Sequence, residues 1–315
     1  MKLFLGVDGG QSGTRAAIGD ETGRVVGMGE AGPSNHAAGA EGQEKLECAV
    51  RGSVEQAAAR AGWNAAAIDF EAACFGMSGG PEGKEAVLAR AVRAARMVVT
   101  TDAAVALAGA TASGQGIVVI AGTGSMALGR NEAGRMARAG GWGYVFGDEG
   151  GAFDIVRQAV RAALRMEEGW GPETAVHRAL LEATGAASAN QALHRFYAPD
   201  WERRRVAALA PLMDRAAGEG DAVALYIVNQ AAQELAQLAA AVRGQLWQPG
   251  DAVEIAYSGG VFESRMLLER FRLLVEMEAG NRLRAPLRPP HLGALREAYR
   301  AAGLRVEVVV TDAGG

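Results

Sequence analysis

Residues 3–15 read LFLGVDGGQSGTR, an apolar run that ends in an acid and continues through a glycine-rich turn. The pattern predicts a strand, a tight turn and a second strand. Gly9, Gly10 and Gly13 let the backbone turn sharply, and the successive N–H groups of such a turn form a concavity that binds anions. Asp8 stands near the strand end, where its carboxylate can hold a hydrated divalent cation. A plain hairpin turn is the alternative, and this stretch alone favours neither interpretation.

A second stretch of the same kind begins at Gly116. Residues 116–125 read GIVVIAGTGS, again an apolar run that meets a glycine turn, and more apolar residues follow. The repetition predicts two related halves, each offering a phosphate-binding loop to a nucleotide held between them. We expect a first lobe at residues 1–112 and a second lobe at 113–289, with a last helix at about 290–315 that packs back on the first lobe.

The composition limits the classes of function. The chain has 315 residues, of which 49% are apolar and 22% charged, as in a globular protein of two domains. Its net charge of −4 excludes a general nucleic-acid footprint, and no apolar run is long enough to span a membrane. The first residues lead directly into a strand rather than a secretory signal, and Cys48 and Cys74 form no CxxC pair. We therefore expect a cytoplasmic protein without disulfides and without an iron–sulfur cluster held by this chain alone.

Hydrophobic periodicity predicts the order of the elements. In the first half, an antiparallel meander of three strands is followed by alternating helices and strands, in the order βββαβαβα. Helices are expected at 41–61, 84–96 and 103–110. In the second half, residues 172–247 are almost entirely helical, and a strand is expected at 282–287. These elements predict mixed sheets that carry helices.

Asp102 is the candidate catalytic base. It follows the apolar segment 97–101, at the point where a strand ends and a helix begins. A carboxylate there points into a cleft and can accept a proton from an attacking alcohol. The alternative is a helix N-cap, a position that Asp favours. Taken alone, the residue favours capping, but the neighbouring loops reverse that order.

The stretch GGWGYVFGDEGG at residues 140–151 is the most specific in the chain. Dense glycine beside a large aromatic residue indicates backbone that lies close to a ligand, with Trp142 as a wall of its site. Asp148 can cap the helix that follows or accept hydrogen bonds from sugar hydroxyls. A flexible loop is the alternative, although such loops seldom carry aromatic residues so densely.

The sequence SGGVF at residues 258–262 follows a strand and precedes a helix, where glycine lets a flat ring lie against backbone. It suits an adenosine face. The spacing of Gly122, Gly124 and Ala127 matches a dinucleotide fingerprint superficially, but strands rather than a helix are predicted to follow it. No GxxxxGK[ST] phosphate loop occurs, and the scattered histidines make no metal site.

In combination, these motifs resemble the N-acetylglucosamine kinases and BadF/BadG/BcrA/BcrD ATPases of the sugar kinase, actin and heat-shock ATPase superfamily. The resemblance covers residues 3–302 and rests on VDGGQSGTR, SNH, FGMSGG, TTDAA, IAGTGS, GGWGYVFGDEG and SGGVF. It implies an α/β, two-lobed, actin-like (ribonuclease H-like) fold, with two duplicated βββαβα-type domains and a cleft between them. It also implies lobes that close on the substrate and exclude water.

The resemblance further implies a role for each matching residue. Asp102 is the general base that takes the proton of the primary hydroxyl of a sugar, whose oxygen then attacks the γ-phosphorus of ATP. Asp8 holds Mg²⁺ through water. The implied sugar-binding residues are Asn35, Ser125, Met126, Gly141, Trp142, Gly143 and Asp148. The implied phosphate-binding residues are Gly10, Gln11, Ser12, Gly13, Thr14 and Thr123, and the nucleoside-binding residues are Ala217, Gly259, Gly260, Val261 and Phe262. Met126 departs from the polar residue expected after the serine.

Three functions fit these motifs. The first is an ATP-dependent amino-sugar kinase, with N-acetylglucosamine as the preferred substrate and glucosamine, N-acetylmuramic acid or another hexose as alternatives. The second is an activator ATPase of a CoA-dehydratase or reductase system, but neither cysteine lies in a loop suited to a shared cluster. The third is an ATPase that acts on a protein partner, against which the Trp142 loop argues. We expect a homodimer formed through the helical part of the second lobe, with no nucleic-acid or membrane partner.

Overall fold

The computed structural model describes residues 1–10, 13–34 and 39–310. Its strands are β1 (Leu3–Gly9), β2 (Thr14–Asp20), β3 (Val25–Ala31), β4 (Ala72–Met77), β5 (Met97–Thr101), β6 (Gly116–Ala121), β7 (Ser125–Arg130), β8 (Met136–Gly140), β9 (Val253–Ser258) and β10 (Asn281–Arg284). Its α-helices are α1 (Gly39–Arg60), α2 (Glu85–Ala91), α3 (Asp102–Ala110), α4 (Ala152–Glu167), α5 (Ala175–Thr184), α6 (Ala189–Phe196), α7 (Arg203–Ala207), α8 (Pro211–Gly218), α9 (Ala222–Leu246), α10 (Arg265–Glu276) and α11 (Pro290–Ala301). Short 3-10 helices lie at Ala65–Ala67 and Gly260–Glu263.

The chain forms two compact units. The first consists of residues 1–115 together with the segment that starts at Pro286, and the second of residues 116–285. Each unit contains a five-stranded mixed sheet, in the order β3-β2-β1-β4-β5 in the first and β8-β7-β6-β9-β10 in the second. In both, an antiparallel meander of three strands continues into two parallel strands. The predicted α/β fold with two duplicated sheets is confirmed.

In the first unit, α1 and α11 cover the sheet. Alternate residues of β1 point to opposite faces. Leu5 therefore packs in a cluster with residues of α1, whereas Phe4 packs with α11. The Phe4 ring lies 4.6 Å from that of Tyr299, whose hydroxyl donates to the Asp20 carbonyl oxygen at 2.7 Å. At Gly6 the contact with α11 is so close that a Cβ would lie 2.1 Å from the Leu295 nitrogen. The last helix is therefore an integral layer of this unit.

In the second unit, the segment between β8 and β9 contains six helices, α4 to α9. The longest, α9, begins at the N-cap Asp221, whose carboxylate accepts from the Ala224 nitrogen at 2.8 Å and from Ala175 at 2.7 Å. One carboxylate therefore starts α9 and also satisfies the first turn of α5, because the first N–H groups of a helix have no partner within it. The predicted helical character of residues 172–247 is correct.

Two predicted elements are shorter in the structure. The helix expected over 84–96 ends at Ala91, since residues 93–95 pair with Phe70, whose nitrogen donates to the Arg93 carbonyl at 3.0 Å. The strand expected over 282–287 ends at Arg284, and the Leu287 nitrogen donates to the Ala110 carbonyl at 3.0 Å. In both places a contact distant in sequence overrides local propensity. Within the described ranges, no helix is long and apolar enough to cross a membrane.

Candidate functional site

The first set of candidate residues lies at the carboxyl ends of the parallel strands β1, β4 and β5. Asp8 lies opposite Gly76, and Met77 opposite Thr101, so that Asp8 and Asp102 reach the same edge of the sheet. In open α/β sheets, ligands bind beyond this edge. The structure therefore brings together the proposed cation ligand and the proposed base.

Asp8 has an unusual protonation equilibrium. Burial raises its pKa from 3.8 to about 7, the negative charge of Asp102 adds to this rise, and Arg15 acts in the opposite direction. A nearby positive charge would stabilise the ionised form of this carboxylate. The described residues contain no cluster of three or more metal-ligating side chains. A magnesium ion here would take only one or two protein carboxylates, with water and phosphate oxygens completing the shell, as Mg²⁺ usually does.

Asp102 is not the N-cap of α3. Thr101 occupies that position, and its hydroxyl accepts from the Ala104 nitrogen at 3.1 Å. Asp102 is the first helical residue, and one of its oxygens accepts from the Ala103 nitrogen at 2.8 Å. The alternative of a capping role for Asp102 is therefore wrong, because the neighbouring threonine already caps the helix. The carboxylate is partly exposed at the end of β5.

The first glycine turn is closed by its own backbone. The Gly10 nitrogen donates to the Gly13 carbonyl at 3.0 Å, and the Ser34 nitrogen donates to the Gly10 carbonyl at 3.2 Å. Thr14 is fully buried, with its hydroxyl donating to the Gly32 carbonyl at 2.9 Å. This threonine side chain thus serves the fold. The predicted ligand contacts at Gln11, Ser12 and Asn35 lie outside the described residues.

In the second unit, the turn between β6 and β7 supports a helix. The Gly122 nitrogen donates to the Gly124 carbonyl at 2.9 Å. The carbonyls of Gly122 and Thr123 accept from the nitrogens of Ala152 and Phe153 at 2.8 and 3.1 Å. The turn thereby satisfies the first N–H groups of α4, whose N-cap Gly151 has no side chain to do so. The helix and the turn are locked together.

The loop at residues 140–151 packs against β7. The Gly141 nitrogen donates to the Ser125 carbonyl at 3.0 Å, and the Ser125 hydroxyl donates to the Glu149 carbonyl at 2.6 Å. A Cβ at Gly141 would lie 3.4 Å from the Cβ of Met126. The structure therefore brings Ser125, Met126 and Gly141 together. Trp142 is 68% exposed, and the guanidinium carbon of Arg138 lies 5.9 Å from the centroid of its ring.

Asp148 does not cap α4. It is the one described non-glycine residue with a positive φ, 63°, a conformation that costs L-residues energy. Its carboxylate is buried beside Gly124, where a Cβ would lie 2.4 Å from Asp148 Oδ2. The closeness explains the glycine, since any side chain at Gly124 would displace the carboxylate.

The turn at residues 258–260 lies next to the one at 122–124, because Ile120 pairs with Ser258 in the parallel register of β6 and β9. Gly259 has a φ of 104°, and a Cβ there would lie 2.3 Å from the Ala121 carbonyl oxygen. Gly259 and Gly260 are exposed, as a face for a flat ring requires. Val261 and Phe262 are buried, and Phe262 packs on Tyr257 and Phe271 with ring centroids 5.2 and 5.1 Å away.

Ala217 differs from the other nucleoside candidates. Its methyl group is 3% exposed and lies in the core of the second unit, on α8. The side chain is therefore not accessible to a ligand. The residues that follow it, Gly218 to Gly220, are exposed.

Comparison with known families identifies the chain. The model of the BadF/BadG/BcrA/BcrD ATPase family matches residues 5–298, which is nearly the whole sequence. The chain belongs to this family. The resemblance found in the motifs is thereby confirmed, and the family is one of ATP-using enzymes.

Two relatives that match most of this sequence are named as kinases. The chain is 29% identical to an N-acetylmuramic acid/N-acetylglucosamine kinase of Clostridium acetobutylicum, over 88% of this chain and 91% of that protein. It is 26% identical to an N-acetyl-D-glucosamine kinase of Dictyostelium discoideum, over 85% and 88%. A solved structure from Chromobacterium violaceum, assigned as a candidate N-acetylglucosamine kinase, is 28% identical, with a TM-score of 0.77 over 94% of this chain and 98% of that one.

Sequence reasoning missed one residue, Arg203. Its Nη2 donates to Asp148 Oδ2 at 3.1 Å, and its guanidinium carbon lies 4.5 Å from the centroid of the Tyr144 ring. The sequence shows only three consecutive arginines, 203–205, in a helical region. Because 55 residues separate the two partners, no local pattern connects them.

Proposed function

We propose that the protein transfers the γ-phosphoryl group of ATP to the primary hydroxyl of an amino sugar, with N-acetylglucosamine as the preferred substrate. The observation that carries this proposal is the pair Asp8 and Asp102 at one sheet edge, with Thr101 rather than Asp102 capping α3. The names of the relatives support the kinase reaction and the sugar class.

In this proposal Asp102 is the general base. It accepts the proton of the attacking hydroxyl while the O–P bond forms and the bond to ADP breaks. Asp8 holds Mg²⁺ through water, and the charge of the ion compensates for the burial that raises the pKa of this carboxyl. Phosphoryl transfer depends on this neutralisation and on positioning more than on covalent chemistry.

We assign sugar binding to the loop around Trp142 and to Asp148. The buried Asp148 carboxylate can accept hydrogen bonds from hydroxyl groups, and the partly exposed backbone of Gly143 directly follows Trp142 in the chain. Asn35 stays in the proposed set, and so do Gly141 and its neighbours Ser125 and Met126. Sugar sites often combine an aromatic wall with a few fixed polar groups.

We assign phosphate binding to the two glycine turns and nucleoside binding to Gly259 and Gly260. The backbone of Gly10 and Gly13 offers close approach, because a Cβ added at either position would meet no atom nearer than 3.3 Å. Thr123 is partly exposed and can reach a phosphate oxygen. The carbonyls of Gly122 and Thr123 in this second turn support α4, which holds the turn in place.

The activator ATPase is the second candidate. A cluster shared between subunits needs exposed, loop-borne thiolates. Cys48 is exposed but lies in α1, and Cys74 is buried in β4, where burial raises the pKa of its thiol. These settings argue against that function. Two free thiols also suit the cytoplasm, which is where we expect the protein.

We further propose a homodimer through helices of the second unit. A groove of about 550 Å³ there is lined by α4 and α9 residues and includes Tyr226, which is 68% exposed. The groove carries Arg165 and Glu173, and charges of both signs on one surface can pair across a two-fold axis. Light scattering of the wild type and of Tyr226→Glu tests this, since a dimer at this face should become a monomer in the variant. A wild-type monomer at all concentrations would contradict it.

The sugar assignment is tested by ADP release with Mg·ATP against N-acetylglucosamine, glucosamine, N-acetylmuramic acid, N-acetylmannosamine, glucose and no sugar. We expect the largest stimulation with N-acetylglucosamine, and mass spectrometry should find one added phosphate on the sugar. Slow hydrolysis that no sugar changes would contradict the kinase and favour the activator ATPase.

A further inference from the structure

We infer that Arg203 is a positioning residue of the sugar site, which acts by fixing the Asp148 carboxylate in one orientation. The inference rests on the proposed function, because Asp148 must be the group that binds the sugar. It adds a residue that lies outside every motif of the family resemblance.

The surroundings of Asp148 require such a partner. The side chain is 9% exposed, and buried carboxylates are rarely left without a counter-charge. The backbone alone does not hold it in place, since the residue has a φ of 63° and its carbonyl accepts a single turn bond, from Gly151 at 3.0 Å. Arg203 supplies the positive charge, with Nη2 and Oδ2 3.1 Å apart.

Arg203 is itself held by aromatic rings. Its guanidinium carbon lies 4.5 Å from the Tyr144 ring centroid and 5.8 Å from that of Phe153. These two rings pack edge to face at 5.2 Å. The planar cation therefore stacks on an aromatic surface, a geometry that the guanidinium of arginine suits better than the flexible ammonium of lysine. Because the guanidinium is held in this way, its hydrogen bond to Asp148 also restrains the carboxylate.

A second arginine braces the same loop from α4. Arg157 Nη1 donates to the Tyr144 carbonyl at 3.0 Å, and its Nε donates to Asp154 Oδ1 at 3.1 Å. Asp154 Oδ2 accepts from the Gly150 nitrogen at 3.2 Å. Backbone order at both ends of the loop thus has its own support. The specific contribution of Arg203 is the orientation of the Asp148 side chain.

The hydrogen bond from Arg203 uses Oδ2 of Asp148. The hydrogen bond from Arg203 leaves Oδ1 for the substrate, so in the inferred arrangement a sugar hydroxyl donates to Oδ1. An ionised carboxylate has lone pairs enough for both partners. Without Arg203 the carboxylate can rotate, and a hydroxyl would meet it in several orientations. Misplacement of a binding group by about 1 Å can cost about 100-fold.

The test uses the whole chain with the variants Arg203→Met, Arg203→Lys and, as a matched control, Arg205→Met. Met keeps the packing between the rings but lacks the donors. Arg205 lies on the same helix, is 54% exposed, and pairs with Asp200 instead. We expect the KM for the sugar to rise about 10- to 100-fold in Arg203→Met, with the KM for ATP unchanged and kcat reduced less. Arg203→Lys should recover part of the loss, and Arg205→Met should match the wild type.

A double-variant cycle with Asp148→Asn completes the test. If Arg203 acts through Asp148, the double variant should bind sugar no worse than Asp148→Asn alone. Additive losses, or a wild-type sugar KM in Arg203→Met, would overturn the inference. If Arg203→Met fails to fold, Arg203→Lys carries the same comparison. Wild-type turnover that no sugar of the panel changes would instead overturn the proposed function, and this inference with it.

Discussion

The two sheets have the same strand order, yet their acids come from different places. In the first unit, Asp8 is the second-last residue of β1, and Asp102 directly follows the last residue of β5. In the second unit, β6 ends in Ala121, and the acid beside its turn is Asp148, from the loop after β8. One sheet thus supplies carboxylates from its strands, whereas the other receives its carboxylate from an adjoining loop.

The connections explain this difference. Among the described residues, the first unit has a single α-helix between β3 and β4, namely α1, whereas the second unit has six between β8 and β9, α4 to α9. Arg203, which holds Asp148, lies in that helical segment. The position of the candidate acids in the first unit therefore depends on strand register, and that of Asp148 depends on the packing of the helices between β8 and β9.

The largest effect is expected for Asp102→Asn. The amide keeps the shape of the side chain but cannot accept the proton, so kcat should fall about 10³-fold while both KM values change little. Steady-state ADP release with the stimulating sugar measures it. Near-normal turnover, with wild-type thermal stability as the folding control, would leave Asp102 as no more than the first residue of α3.

The corresponding test of the second unit is Gly124→Ala. A Cβ there would lie 2.4 Å from Asp148 Oδ2, so the carboxylate must move. We expect the KM for the sugar to rise about tenfold or more, with a smaller effect on that for ATP. Gly244→Ala in α9 is the control, because its Cβ would meet no atom within 4 Å and the residue lies outside the proposed binding turns. Equal kinetics in the two variants would mean that Asp148 does not depend on its contact with Gly124.

A third prediction concerns pH and the first unit. The pKa of Asp8 in the folded protein, about 7, lies above the ordinary value of 3.8. Between these values the folded protein holds a proton that the unfolded chain has released, so this group makes stability fall as pH rises through that window. Asp8→Asn should remove that contribution. With chelator and no metal present, the melting temperature of Asp8→Asn minus that of the wild type should increase from pH 4 to pH 8.

The pH experiment contains its own control. Groups distant from Asp8 contribute alike in both proteins, so the difference between the two melting curves reports on Asp8 together with its electrostatic neighbours Asp102 and Arg15. A difference that stays constant from pH 4 to pH 8 would contradict the shift. Added Mg²⁺ should reduce the difference at pH 8, because a cation offsets the cost of the buried charge.

The smallest effects are expected at the helix caps. Thr101→Ala removes the acceptor for the Ala104 nitrogen and should lower the free energy of unfolding by about 1 kcal/mol. Ser264→Ala in the second unit removes the cap of α10, where the hydroxyl accepts from the Leu267 nitrogen at 3.1 Å. Thermal melts should show a loss in both. Only Thr101→Ala should also reduce kcat, because Thr101 but not Ser264 lies next to the proposed base. Equal kcat values in the two variants would contradict this.

The features that the sequence predicted correctly are local ones. An apolar run directly before each glycine turn predicts that turn. The strands that flank both turns are formed by residues within a few positions of it. The family resemblance could be read for the same reason, since its motifs are short and contiguous. Asp102 was recognisable as a strand-end acid, but its relation to the cap needed the dihedral angles and the Thr101 hydrogen bond.

The features that escaped prediction depend on distant contacts. Helix α2 is short because Phe70 pairs with residues 93–95. Ala217 is on the buried face of α8, a matter of how that helix packs rather than of the motif around it. Arg203 contacts Asp148 although the three helices α4, α5 and α6 separate them along the chain. Periodicity reveals which face of a helix is apolar, but not what that face will touch.

The discontinuous first unit has a consequence for biosynthesis. The face of its sheet opposite α1 is covered by α11, and α11 is translated after the whole of the second unit. The second unit is a continuous segment, residues 116–285, and is available in full while α11 is still inside the ribosome. Strand β1 is therefore synthesised first, but α11, which packs on it, is synthesised last. Premature termination before Pro290 would leave the apolar face around Phe4 uncovered for chaperones and proteases to find.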